Sequence, residues 1–398
     1  MKQISYTLLT LLVIVFFSSC DDNGEDLPTF PEITLNGEFN TDLFKAIVKD
    51  EAVNKNVIIS PLSISSVVKM ILAGADGNTA EEIVKSYGEE ASKTALLGES
   101  QNLRSWLNTR TGSPVIEFSN VLFYDDKKIT PLSSYTSDMA SYFDASIKTA
   151  DFSNTEEALA TINGWVNEKT KTKIPTIIED ISQNEVMFLI NALYLKADWL
   201  TSFPEGRTRE QTFVLENGNE QMVDMMNMTA GFNTYRGDNM IAVEVPYKDD
   251  EISMYFIQPN SGSINTLISE LNSSTLAQIN DGKEKERLDL YVPKFKLEYK
   301  NENIRKSLEF LGVKQMFSQG ADLGLMAEQN NLLVSRVVHK TYLTIDEKGT
   351  EGAAVTLGGI SVTSLPPSVS FNRPFVIVLA DKEMKNILFM GRISNPLN

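Results

Sequence analysis

A single histidine, His339, supplies all the imidazole in this chain of 398 residues, and a single cysteine, Cys20, supplies all the thiol. Zinc sites of the common kinds need several such ligands, so neither a metal nor any other cofactor is expected. A nucleophilic serine would have to take its general base from His339. Yet His339 stands in the run VVHKTYLTID (337–346), where alternation puts it on one strand face with Thr341, Leu343 and Ile345. A face of that composition points into a core, where a histidine is held by hydrogen bonds rather than offered to a substrate. Neither a GxSxG elbow nor a phosphate-binding glycine loop is present. A hydrolase built on His339 remains a formal alternative, and it requires a turnover that is lost when His339 is changed. The expectation is a protein that is not an enzyme.

The second unusual stretch is EKGTEGAAVTLGGISVTSLPPSVS (347–370), which lies between two strongly apolar strands. It is long, small-residued and almost uncharged, and long segments of this kind inside compact domains tend to be functional. From Gly349 to Thr363 there is no proline, so every residue can donate a ladder hydrogen bond; proline comes only at Pro366 and Pro367. The alternate positions Thr350, Gly352, Ala354, Thr356 and Gly358 are all small or compact. A segment built this way can enter a crowded sheet as a new strand, with small side chains turned to the interior.

The elements that must position these residues are legible in outline. Phe39, Leu43, Phe44, Ile47 and Val48 recur at helical spacing, and a second helix after Pro61 carries Ile64, Val67, Val68, Ile71 and Leu72. Gly74 and Gly77 mark its end, and Thr79 with Glu82 reads as a capping box that starts a third. Beyond Asn163 the pattern mixes helices with strands: 187–199, 252–259, 337–346, 374–381 and 386–393. They are β-rich and largely apolar on both faces, as central strands of a covered sheet should be. With no internal repeat and no composition break, residues 36–398 read as one α+β domain.

A formal charge of -17 leaves no surplus of Lys or Arg to neutralise phosphates, so nucleic acid is not an expected partner. At the start, Lys2, the apolar run Leu8 to Phe17 and small Ser18 and Ser19 read as a secretion signal over 1–19, too short to span a bilayer comfortably. Its removal would take away one lysine and no acid, leaving -18. FSSC resembles a bacterial lipobox, which makes Cys20 the lipidated first residue, and Asp21 and Asp22 resemble the acidic export tag on surface lipoproteins of the Bacteroides group. Residues 20–35, with Pro28 and Pro31, read as the tether. The expected setting is the outer membrane, facing outwards or into the periplasm, with no disulfide in the exported part.

Several separate motifs now agree in order. NVIISPLSISSVVKMILAGADGNTAEEI (56–83), FLINALYLKADW (188–199), EVPYKDDEISM (244–254), YVPKFKLEY (291–299), VVHKTYLTIDEKGTE (337–351) and FNRPFVIVLADKEMKNILFMGRISNP (371–396) together resemble the serpin family over residues 36–398. The resemblance implies an α+β fold of three β-sheets, about eight or nine helices and an exposed reactive centre loop at about 347–370. It also implies a suicide inhibitor: the protease attacks the loop, forms an acyl-enzyme, and is dragged away when the cut loop inserts into the main sheet. By the same resemblance Ser60, Ser63, Asn191 and His339 fall on the shutter beneath the strands that part, and Trp199 on the breach where insertion begins. The hinge comprises Glu347, Gly349, Thr350, Glu351, Gly352, Ala353 and Ala354, and Asn163 with Trp165 lies in a helix across the sheet.

The seventeenth residue counted from Glu347 is Thr363, and counting back from FNRPF reaches the same place, so the reactive bond is expected at Thr363–Ser364, with Val362–Thr363 as the alternative. No Lys or Arg lies between Lys348 and Arg373, and aromatic residues and acids are absent near the bond. Expected partners are therefore elastase-like or subtilisin-like serine proteases with small apolar primary pockets, or cysteine proteases, met by a monomer. Gly352 departs from the alanine usual there, at a backbone-entropy cost of about 0.5–1 kcal/mol on entering a strand. A serpin-like binding protein or protease substrate that never inserts its loop is the alternative.

Overall fold

The protein is described by a computed structural model over residues 37–109, 113–248, 250–329, 331–350 and 366–397. Cys20, Glu351, Gly352, Ala353, Ala354, Val362, Thr363 and Ser364 lie outside the described residues.

The first apolar stripe winds into α1 (Gly37–Asp50), with Phe39, Leu43, Phe44, Ile47 and Val48 all buried. After β1 (Val57–Ile59), Ser60 caps α2 (Pro61–Ala73), its hydroxyl accepting the Ser63 N–H at 3.1 Å, while Pro61 occupies the first turn, where a missing N–H leaves nothing unpaired. Gly74 ends this helix against Met326, whose Cγ would lie 2.1 Å from a Cβ placed there. The expected capping box does not form. Asp76 caps α3 (Gly77–Lys85), putting Gly77 and Thr79 inside the helix. The Thr79 hydroxyl instead accepts the Asp322 N–H, and the Glu82 carboxylate accepts the N–H groups of Lys314 and Gln315. Both side chains tie α3 to a distant loop, which local spacing cannot reveal.

Next come α4 (Lys93–Thr109), β2 (Val115–Tyr124), α5 (Ser133–Phe143), β3 (Ser146–Thr149), α6 (Thr155–Lys169) and β4 (Met187–Asp198). β5 (Arg209–Val214), β6 (Glu220–Arg236), β7 (Met240–Pro246), β8 (Ile252–Pro259), α7 (Ile264–Glu270) and α8 (Ser273–Gly282) follow. The remainder is β9 (Glu284–Pro293), β10 (Phe295–Asn301), α9 (Arg305–Phe310), β11 (His339–Ile345), β12 (Gly349–Thr350), β13 (Ser368–Ser370), β14 (Phe375–Asp381) and β15 (Ile387–Ile393). β8, β14 and β15 are buried along their whole length, as two-face apolar strands should be.

Strand order β1-β15-β14-β8-β7-β6-β9-β13, with β5 also on β6, joins two sheets through the long β6. The third sheet is divided: β12-β4-β2-β3 form one ribbon and β10-β11 another. Three sheets and nine α-helices among the described residues make this the expected α+β architecture. Phe256, Phe371 and Phe375 pack ring against ring in the core between sheets, each burial worth about 2 kcal/mol. On the outer face of the divided sheet, Ile162, Trp165 and Val166 of α6 pack on Val121, Phe123, Ile190 and Ala192. Asn163 holds the chain beyond α6 by accepting from the N–H groups of Ile177 and Ile178 and donating to the Ile178 carbonyl.

Candidate functional site

At the head of the divided sheet the chain turns back after β11 and pairs with the end of β4, Gly349 opposite Asp198 and Thr350 opposite Ala197. Gly349 has φ +147 and a Cβ there would lie 2.0 Å from the Ala197 carbonyl oxygen, so only glycine lets the two backbones close. The Thr350 hydroxyl bonds the Tyr247 hydroxyl at 2.7 Å in a buried site. The ring of Tyr247 stacks on Trp199, with centroids 4.5 Å apart, and the indole N–H donates to the Asp346 carbonyl. The backbone N–H groups of Trp199 and Phe203 donate to Lys348 and Glu347. The Glu347 carboxylate accepts from Lys294 at 2.9 Å and from the Thr208 hydroxyl at 2.9 Å. Burial pushes this carboxyl up, but its hydrogen bonds, led by that from Lys294, outweigh the burial and hold it below the usual glutamate range. Glu347, Gly349, Thr350 and Trp199 therefore meet in one clasp at the top of the sheet.

Below the clasp, β4 and β11 part around a cavity of about 680 Å³. Its inner wall is α2, which contributes Ser63, Ile64, Val67 and Ile71. Ser60 N–H donates to His339 Nε2 at 3.1 Å, which leaves the ring proton on Nδ1, and the Thr341 hydroxyl donates to the Ile58 carbonyl at 2.6 Å. His339, Thr341, Leu343 and Ile345 share one buried face, as alternation indicates. Ser60, Ser63 and His339 thus come together on one side of the gap. Asn191 stands on the other, its amide N–H donating to Asn120 Oδ1 at 2.9 Å and its own buried Oδ1 left without a partner. Asn120, which the sequence did not single out, is the junction: it also accepts from the Ser66 hydroxyl and donates to the Phe143 carbonyl. The only local sign of it was a polar residue inside an apolar strand.

Burial pushes His339 down to about 3, so the ring is neutral at physiological pH, with Nε2 occupied by an amide rather than aimed at a hydroxyl. The folded state binds this proton less readily than the unfolded chain, whose histidine titrates near 6.5. The stabilisation is complete above pH 6.5 and drains away as pH falls towards 3, on the order of 4 kcal/mol over that window. Denaturant unfolding from pH 7 to pH 4 is expected to show this loss in the wild type and a flatter profile in His339→Gln, whose amide oxygen reaches the position of Nε2 and can still accept from Ser60. Parallel profiles for the two would refute the assignment.

Chemically, the arrangement offers a gap between β4 and β11, headed by Gly349 and Thr350 paired with β4, with an acceptor on one flank and an imidazole on the other. A family model described as Serpin (serine protease inhibitor) matches residues 34–396. The leukocyte elastase inhibitor of Xenopus tropicalis is 35% identical over 374 residues, covering 90% of this chain and 97% of that protein. A serine protease inhibitor of Cyanea capillata is 32% identical over 357 residues, covering 86% and 93%. Among solved structures, thyroxine-binding globulin in complex with thyroxine gives a TM-score of 0.83 at 28% identity, covering 92% of this chain and 99% of that one. The thermophilic serpin tengpin in its native state gives 0.83 at 28% identity, covering 91% and 94%.

Proposed function

Because the chain belongs to the serpin family, we propose that it is a suicide inhibitor of serine proteases, consumed once per enzyme, with Thr363–Ser364 as bait. One observation carries this: the sheet that must receive the loop is already parted, and β12 has begun to fill it. Each further residue in that register steps one place back along β4. Gly352 would face Leu195, Thr356 would face Asn191, and Thr363 would face Asn184, which lines the far end of the cavity. The stretch from hinge to bait therefore matches the vacancy in length, and it places a hydroxyl where Asn191 Oδ1 lacks a donor.

In the proposed sequence the protease serine attacks the Thr363 carbonyl, the Thr363–Ser364 bond breaks, and the new amine of Ser364 leaves with a proton. The protease stays esterified to Thr363. Cutting frees the loop from its second attachment, and insertion adds a strand's worth of pairing and burial that the intact chain cannot reach. The bait's small side chains favour elastase-like or subtilisin-like enzymes, with cysteine proteases possible by the same acyl chemistry. We further propose that Cys20 carries lipid and that residues 21–35 tether a monomeric inhibitor to the outer membrane.

Incubating the lipidated chain with an elastase, a subtilisin and a trypsin tests this on denaturing gels. A covalent complex and a released fragment starting at Ser364 are expected with the first two, and detergent partitioning that Cys20→Ser abolishes checks the anchor. Fast trapping of trypsin alone would overturn the specificity. The likeness to thyroxine-binding globulin favours a second reading, a ligand-binding serpin that does not trap, and cleavage without any complex would support it.

A further inference from the structure

The lower mouth of the cavity is bridged. Arg336, three residues before β11, reaches Glu185, two residues before β4: Nη2 donates to Oε2 at 3.2 Å, and Nε lies 3.0 Å from Oε1. The Nε contact is electrostatic only, since its N–H makes no hydrogen bond. Ser335 Oγ also donates to Glu185 Oε1, and the Ser182 N–H to Oε2. Arg336 is braced from outside by the Asp180 carboxylate at 2.9 Å and the Asp180 carbonyl at 2.7 Å. The Glu185 side chain is 6% exposed and that of Arg336 21%, so the pair is largely shielded from water. No backbone pairing joins β4 to β11 among the described residues.

If the inserted loop kept the β12 register, Gly349 opposite Asp198 and Thr350 opposite Ala197, Val362 would come opposite Glu185 and Thr363 opposite Asn184. A strand lying between β4 and β11 separates its two neighbours by about 9.5 Å, twice the strand spacing. The ion pair, closed at 3.0 Å, spans the gap that the backbone of that strand would have to occupy. We propose that Glu185–Arg336 is a latch across the foot of the sheet, which holds the two ribbons together in the intact chain and must open before the cut loop can seat its last residues. Its strength then divides each bite between completed insertion and escape of the protease by hydrolysis of the acyl-enzyme. The latch rests on the loop-inserting reading above.

The wild-type chain, Arg336→Gln and the double variant Glu185→Gln with Arg336→Gln are nicked in the loop with a metalloprotease, which cuts through an activated water and forms no acyl-enzyme. Insertion is followed by tryptophan fluorescence and by the rise in unfolding temperature. The double variant, which leaves no buried charge unpaired, is expected to insert about fivefold faster than wild type. Should Arg336→Gln not fold, Asp180→Asn weakens the same guanidinium from its exposed side and serves instead. Equal rates overturn the latch, as does a loss of native stability with insertion at the wild-type rate. If nicked wild type gains no unfolding temperature, loop insertion itself fails and the latch falls with it.

Discussion

Thr356→Arg is expected to turn the proposed inhibitor into a substrate, lowering covalent complex by at least about 100-fold while cleavage at the proposed Thr363–Ser364 bond continues. Under the proposed insertion, Thr356 is the residue that the β12 register would bring to Asn191, on the face where His339 and Ser60 meet beneath the sheet. Arginine there would bring an unpaired cation beside a neutral imidazole and the apolar side chains of α2, at a cost of several kcal/mol. Insertion would stall midway, and the acyl-enzyme would hydrolyse before the protease was displaced. Stoichiometry titrations and denaturing gels read this directly, and undiminished complex would sink both the register and the insertion mechanism. Thr350 is a poorer test site. It is already buried and bonded to Tyr247, so an arginine there would damage the intact protein as well as the inserted one.

The second large effect is expected from Glu347→Lys. It replaces the carboxylate that Lys294 and Thr208 hold with a second cation facing Lys294. The Lys294 side chain is 43% exposed, which screens the pair, so the direct loss is about 1–2 kcal/mol. The clasp sits where β12 leaves the turn after β11, and loosening it frees the head of the sheet to open. The lifetime of the intact native state at 37 °C is expected to fall about tenfold, with self-associated chains appearing on size exclusion. Acid should imitate the variant. Because the folded-state pKa of Glu347 is depressed, its contribution is full above the ordinary glutamate range and is lost as pH falls through the folded value. A variant with wild-type lifetime that stays monomeric would show that the clasp does not restrain the loop.

The routes by which particular residues became legible differ. The stripe of α1 and the two-face apolar strands β8, β14 and β15 could be read because each pattern repeats within one element, at the period that burial imposes. His339 could be assigned to a buried face because strand alternation is equally local. Thr79 and Glu82 mislead for the complementary reason. Their spacing fits a cap, but their partners Asp322, Lys314 and Gln315 lie more than two hundred residues away. Asn120 and Arg336 carry no local mark, because nothing near them in the chain distinguishes an ordinary polar residue from one that joins distant strands.

By itself the sequence determined the chemistry that is available: one imidazole on a core face, no second thiol, and a proline-free small-residue segment able to join a sheet. It also left the stretch around Thr363 without charged or aromatic side chains. Only the tertiary structure decided that the third sheet stands parted, that Gly349 and Thr350 already occupy its head, and that an ion pair closes its foot. The physical reason is that strand pairing and ion pairing join residues remote in the chain, so whether two adjacent strands bond or stand apart depends on the balance of contacts across the whole domain and leaves no periodic mark in either strand.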